Sequence, residues 1–267
     1  MKNRELLEEY KKQDDKILLS QILDKLEISA KNDKIEYTDF LDMYQVVLVK
    51  NFLKKLEIKN YQFYGGFEES ERKIVIFYTD KYNEEMIKEN YENMCKIIRI
   101  TLGPKEKGLY SHRNYLGGII KLGMKREKVG DILVFEDGAD IVVKKETASI
   151  LAKELGSLTR FENSKIEIEE INNIRKPEIK KEEIDIIIPS LRLDNIVSDL
   201  ARTSRSKAVQ IINQERVFVN GQNETKPSKN IKVKDTITIR GKGRFVIKEI
   251  VGTTRSGRTV LRIEKFV

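Results

Sequence analysis

Apolar positions in the first 60 residues recur at helical spacing. Ile17, Leu18, Ile22, Leu23 and Leu26 share one face, and after the polar stretch SAKNDKIEYTD the set Phe40, Leu41, Tyr44, Val47, Leu48 and Phe52 resumes it. Two helices are predicted, the second capped by Thr38 or Asp39. From residue 61 the period shortens: YQFYGG and KIVIFYT read as strands joined by a Gly-containing turn, and MCKIIRITL as a third. HRNYLGGIIKLG returns to helical spacing through Tyr115, Leu116, Ile119 and Ile120 and stops at Gly123. DILVFEDGADIVVK is two apolar runs meeting at Asp-Gly, a hairpin signal. TASILAKELG reads as a short helix stopped by Gly156, and KIEIEEI as a strand.

Near the C-terminus Leu193, Ile196, Val197 and Leu200 fall on one helical face. Ser204 is a suitable N-cap for a second helix with Ala208, Ile211 and Ile212 inward. Val217 and Val219 alternate into an Asn220-Gly221 turn, and TITIR, FVIKEIV and TVLRIEKF supply further strands. The polar segment NNIRKPEIKKEEID, with Pro177, predicts a linker near 178–184. The expected class is α+β in three parts: a helical N-terminal region over 1–60, a central RNA-recognition-like or ferredoxin-like α/β domain over 61–180, and a small α/β domain over 181–267.

Composition narrows the function classes. The 267 residues are 39% hydrophobic and 35% charged, as in soluble globular proteins. The longest apolar runs, such as QVVLV and DIIIP, fall well short of the roughly 20 residues of a membrane helix. The opening MKNRELLEEYKKQDDK alternates charge without a leader-like apolar stretch, so a cytoplasmic location and no membrane partner are expected. Cys95 and His112 are the only residues of their types, which excludes an internal disulfide and a Cys- or His-rich metal centre. No cofactor, metal or small-molecule substrate is expected. The net charge is +8, but residues 185–267 hold 17 Lys+Arg against 8 Asp+Glu while residues 1–184 hold 34 against 35. That segregation fits a module for a polyanion, with a merely basic soluble domain as the alternative.

Arg202, Arg205 and Lys207 crowd a predicted helix start. Cations there oppose the positive end of the helix dipole, and an anion reverses the sign of that effect. Free backbone N–H groups at the same end suit phosphate, and arginine grips phosphate oxygens in a planar fork. RLDNIVSDLARTSRSKAVQIINQERVFVNGQ and VKDTITIRGKGRF, within Leu191 to about Phe245, resemble the ribosomal protein S-four type RNA-binding domain. The resemblance implies phosphate contacts by Arg192, Arg202, Arg205 and Lys207. Arg216 and Arg244 join them from charge and placement. Arg205 and Lys207 are expected to serve binding and not stability, and internal pairing of these cations with carboxylates, with no exposed cationic concavity, would count against the reading. Glu215 and Lys234 depart from the family, which favours Gly at both. YGGFEESERK at 64–73 and SHRNYLGGIIKLGMKREKVGDILV at 111–134 resemble the YlmH-type proteins, except that Asn114 replaces a common Asp. This likeness implies a cytoplasmic partner set of ribosomal RNA, the large ribosomal subunit and peptidyl-tRNA, with rRNA and tRNA binding in ribosome-associated quality control.

Other constellations carry bland and functional readings together. His112, Arg113, Lys125, Arg126 and Lys128 could form a second RNA patch or a capped helix and a solvated turn. GIIKLGMK has Met124 where a P-loop needs Lys and reads as a helix end. Glu136, Asp137 and Asp140 could form a metal loop but fit a hairpin turn, and Gly241 and Gly243 fit a tight turn. S-four type domains are also appended to RNA-modifying enzymes, but neither a pseudouridine-synthase-like catalytic domain nor a Gly-rich methyl-donor loop is recognisable. A helix-turn-helix DNA-binding protein is a third class. The reading preferred is a non-catalytic RNA-binding protein.

Overall fold

The computed structural model describes residues 5–176 and 181–266. It divides into two compact units, Met1–Pro177 and Glu178–Val267. Of the predicted linker, residues 178–180 lie outside the described residues, as does Pro177, and 181–184 are strand.

In the first unit α1 (Gln13–Asn32), β1 (Glu36–Tyr37) and α2 (Met43–Lys55) precede β2 (Tyr61–Tyr64) and β3 (Ile74–Phe77). The three strands form an antiparallel sheet ordered β1-β3-β2. Leu19, Ile22 and Leu23 of α1 and Val49, Phe52 and Leu53 of α2 close over Val75 and Phe77 of β3. The strands at 61–77 therefore pack with the N-terminal helices and form a sheet apart from the central one. The cap of α2 is Asp42, which accepts from the Gln45 amide while its own amide donates to the Gln45 side chain. Thr38 and Asp39 are used elsewhere: the Thr38 hydroxyl accepts from the Val75 amide, and Asp39 pairs with Lys128 and Lys144.

After α3 (Glu84–Glu89) and α4 (Tyr91–Met94) come β4 (Cys95–Thr101), α5 (His112–Lys121), β5 (Val129–Phe135), β6 (Gly138–Lys144), α6 (Lys145–Gly156) and β7 (Lys165–Glu170). The antiparallel order β5-β6-β4-β7 makes this βαββαβ chain a split βαβ fold of the RNA-recognition-like kind. Ile98, Ile100, Ile141 and Val143 face Tyr115 and Ile119 of α5 and Leu151 and Leu155 of α6. On the other face Cys95, Ile97 and Val142 are closed by Phe40, Ile74, Ile76, Ile87 and Ile171. With both faces covered, all seven residues of β6 are buried, and its sequence reads as an apolar run instead of an alternation. The β5–β6 loop is Glu136–Asp137. Gly138 opens β6 because an added Cβ there would lie 1.8 Å from the Ile100 carbonyl oxygen.

The second unit runs β8 (Lys181–Ile188), α7 (Leu193–Leu200), α8 (Arg205–Asn213), β9 (Val217–Val219), β10 (Gln222–Asn223), β11 (Thr236–Ile239), β12 (Gly243–Thr253) and β13 (Thr259–Phe266). Its sheet is antiparallel, ordered β10-β9-β11-β12-β13-β8. Strand β8 escapes the periodicity because it is a charged edge: only Ile184, Ile186 and Ile188 turn inward, between exposed residues. Leu193, Ile196, Val197 and Leu200 of α7 and Ala208 and Ile212 of α8 pack on the inner sheet face. Each buried aliphatic side chain contributes roughly 1.5–3 kcal/mol, so these residues fix how both helices dock. Asn220 and Gly221 have φ of +52° and +78°, the backbone of a two-residue hairpin turn.

Candidate nucleic-acid interface

Helix α8 begins at Arg205 because Ser204 caps it, its hydroxyl accepting from the Lys207 amide at 3.3 Å. Helix α7 ends in a tight left-handed turn three residues earlier. The Arg202 amide donates to the Asp199 carbonyl and the Thr203 amide to the Ser198 carbonyl, both at 2.9 Å, with Arg202 at φ +50°. This is the Schellman arrangement with arginine where glycine is usual. Arg202 and Lys207 are exposed and make no side-chain hydrogen bond or ion pair among the described residues. Asp199 is the acidic neighbour of Arg202 along the chain.

Asp194, only 2% exposed in the first turn of α7, organises the other two arginines. Its Oδ1 and Oδ2 accept from Arg192 Nε and Nη2 at 3.1 and 2.9 Å, and Oδ2 also accepts from Arg205 Nε and Nη2 at 3.0 and 2.8 Å. Burial disfavours the carboxylate charge, but hydrogen bonds from Arg192 and then Arg205 outweigh it and hold its pKa below the ordinary range. The expectation that these arginines stand outward without an internal partner is therefore corrected: a carboxylate ties both. The tie takes one edge of each guanidinium and leaves the Arg192 and Arg205 side chains 40% and 57% exposed. One buried acid thus splints two arginines side by side, with Arg202 and Lys207 close by in the chain.

Arg216 is exposed and donates from Nη2 to the Arg240 carbonyl at 3.2 Å. Arg244 is half-buried and lies over the Phe266 ring at 4.8 Å. Loss of solvent lowers its pKa. Arg240, which sequence reasoning passed over, stacks on Phe218 at 4.9 Å. Asp194 was also passed over. An acid among apolar positions on α7 is a signal for such a buried partner, though not for which cation it holds. Glu215 and Lys234 adopt the left-handed geometry that glycine would supply, at φ +58° and +74°. At the end of α8 the Glu215 and Arg216 amides donate to the Ile212 and Ile211 carbonyls, so the helix exit is intact.

The second cationic group is not assembled. Arg126 turns inward, Nη1 donating to the Val129 and Gly130 carbonyls at 2.5 and 2.9 Å, and burial beside Arg72 brings its pKa down to about 10. Lys128 pairs with Asp39 at 2.9 Å. His112, Arg113 and Lys125 are exposed, and desolvation of the ring with Arg126 nearby holds the His112 pKa below its ordinary value. Asn114 closes a capping box, accepting from the Ser111 amide. Strands β4 and β6, whose counterparts carry base-stacking aromatics in RNA-recognition sheets, contain none, and half of that face is closed. Asp137 and Asp140 are engaged by Arg175. Among the described residues no group of three His, Cys, Asp or Glu is placed to hold a metal ion, and no helix is long and apolar enough to cross a membrane.

A split βαβ domain followed by a helix pair on an antiparallel sheet is a combination found among RNA-binding proteins. Residues 76–175 match the family model "Putative RNA-binding domain in YlmH", and residues 191–237 match the S4 domain. The chain thus carries a YlmH-type putative RNA-binding domain followed by an S4 domain. It is 26% identical over 256 residues to ribosome-associated protein quality control protein P2 of Bacillus subtilis, covering 95% of this chain and 96% of that protein. The solved structure of cell division protein ylmH from Streptococcus pneumoniae is similar over 60% of this chain and 93% of its own, at 19% identity and a TM-score of 0.47.

Proposed function

We propose that this chain is a non-catalytic RNA-binding protein of the cytoplasm that engages rRNA and tRNA on the large ribosomal subunit, in quality control of stalled translation where peptidyl-tRNA persists. The observation that carries the reading is the helix pair α7–α8, where Asp194 fixes Arg192 and Arg205 while Arg202 and Lys207 stand exposed beside the N-terminus of α8. Pre-orienting a guanidinium lowers the entropy lost when it meets phosphate. The collinear likeness to a ribosome-associated quality control protein supports the ribosomal setting.

The test is sedimentation of the full chain with ribosomal particles on a sucrose gradient. Wild type is expected in the large-subunit fractions. Arg202→Ala with Lys207→Ala is expected to shift it toward the top of the gradient with an unchanged melting temperature, since neither side chain has a partner among the described residues. Wild-type chain confined to the top of the gradient, or better retained on duplex DNA than on ribosomal RNA, would refute the assignment.

A further inference from the structure

Opposite its helices, the six-stranded sheet carries a row unlike the rest of that face. Phe218, Thr238, Arg244, Phe266 and Lys181 are successive cross-strand partners on β9, β11, β12, β13 and β8. Directly opposed residues project to the same side, and their inward neighbours Val217, Ile237, Phe245 and Ile263 fill the core, so the row faces outward. A strand spacing of about 4.8 Å sets the two rings roughly 14 Å apart. Arg240 lies over Phe218 at 4.9 Å, Arg244 over Phe266 at 4.8 Å, and Lys181 over Phe266 at 5.3 Å.

The same face elsewhere shows what a solvated sheet surface of this protein looks like. There Lys248, Glu183, Arg262, Asp185 and Glu249 interlock as ion pairs of both signs, without an aromatic ring. At the aromatic row the balance differs. Arg216 and Arg240 have no carboxylate partner among the described residues, and Lys181 pairs with Glu264. Half-buried rings beside the Arg216 and Arg240 guanidinium groups present aromatic surface and positive charge together. Folded duplex RNA offers phosphates to such a surface but hides its base faces; unpaired nucleotides offer both.

We propose that this face of the S4 domain is a second RNA-contact surface that stacks unpaired bases on Phe218 and Phe266, with Arg216 and Arg240 meeting the adjoining phosphates. The inference rests on the RNA-binding reading above and assigns it a single-strand component separate from α7–α8.

The test uses the full chain and two probes: a 12-nucleotide single-stranded RNA carrying a central 2-aminopurine, and a blunt 20-base-pair RNA duplex. Wild type is expected to quench the 2-aminopurine on binding. Phe218→Leu with Phe266→Leu keeps apolar bulk but removes the rings. It should weaken single-strand binding about tenfold and abolish most of the quench, with duplex affinity within about twofold. Arg202→Ala with Lys207→Ala should do the reverse, weakening the duplex complex while the quench at saturation persists. Should the leucine variant melt early, Arg216→Gln with Arg240→Gln on the same face replaces it, with the same expected loss of single-strand affinity. Single-strand binding without quench, or unchanged single-strand affinity in a folded variant of this face, overturns the proposal and leaves the α7–α8 reading standing. Absence of wild-type binding to either probe removes that reading first and this one with it.

Discussion

At position 202 a backbone preference and a chemical requirement pull apart. An L-residue at φ +50° is less stable than glycine there by roughly 1 kcal/mol, yet Arg202 holds the turn between the two helices. Arg202→Gly is therefore expected to raise unfolding stability by up to about 1 kcal/mol while weakening RNA binding, read by chemical denaturation and filter binding on the same samples. Glu215→Gly and Lys234→Gly relieve the same strain without removing a proposed contact, and should stabilise with little change in affinity. Asp194 is the opposite case, a residue whose value is its partners. Asp194→Asn should cost about 1–3 kcal/mol, since both arginines lose a charged acceptor, and should loosen RNA binding by freeing their orientation. Because its folded pKa is lowered, its stabilisation is complete above the ordinary carboxylate value near pH 4 and is lost as pH falls through the lower folded value. Wild type and Asp194→Asn should accordingly converge in stability on acidification below about pH 4. Arg205 is both a partner of Asp194 and a proposed phosphate contact, so its removal is a less clean probe of binding than removal of Arg202 or Lys207. The cations and the Ser204 cap were legible from residue type and spacing. The partnership with Asp194 was not, because a residue near the start of α7 meets the first residue of α8 only after both helices dock.

Among elements, those with one buried face declared themselves. Leu193, Ile196, Val197 and Leu200, and then Ala208 and Ile212, lie inward as their spacing predicts, and Asn220-Gly221 forms the turn its residue types require. The misreadings have separate causes. Phe40 and Leu41 continue a helical spacing by coincidence, since Phe40 is a plug on the central sheet and Leu41 bridges to Lys73 before the helix begins. Strand β8 looks like a linker because an edge needs few apolar residues. The N-terminus of α8 is where element and function meet, and Ser204→Ala isolates it. Loss of that cap should lower stability by about 0.5–2 kcal/mol and release the Lys207 amide, measurable as a fall in melting temperature and faster hydrogen exchange at Lys207.

For the molecule as a whole, the distribution of charge and the closure of the central sheet point the same way. Residues 1–184 are nearly neutral in sum, and the sheet face that RNA-recognition domains use as a stacking platform is here partly covered by Phe40, Ile74 and Ile76. Two of the central unit's candidate cations, Arg126 and Lys128, are engaged internally, so Arg113 and Lys125 remain as scattered exposed charges. On the proposed function, phosphate neutralisation belongs to the C-terminal unit. About five phosphate contacts give a slope of log affinity against log salt near −3.5 to −4.5. Removing Arg202 and Lys207 together should make that slope shallower by about 2, whereas Arg113→Ala with Lys125→Ala should leave it unchanged. A titration of ribosomal RNA binding from low to high salt with the three full-length proteins measures all of this at once. Equal shallowing by both double variants would mean that the central unit lies on phosphate as well, and that its hidden sheet face is compensated by its edges.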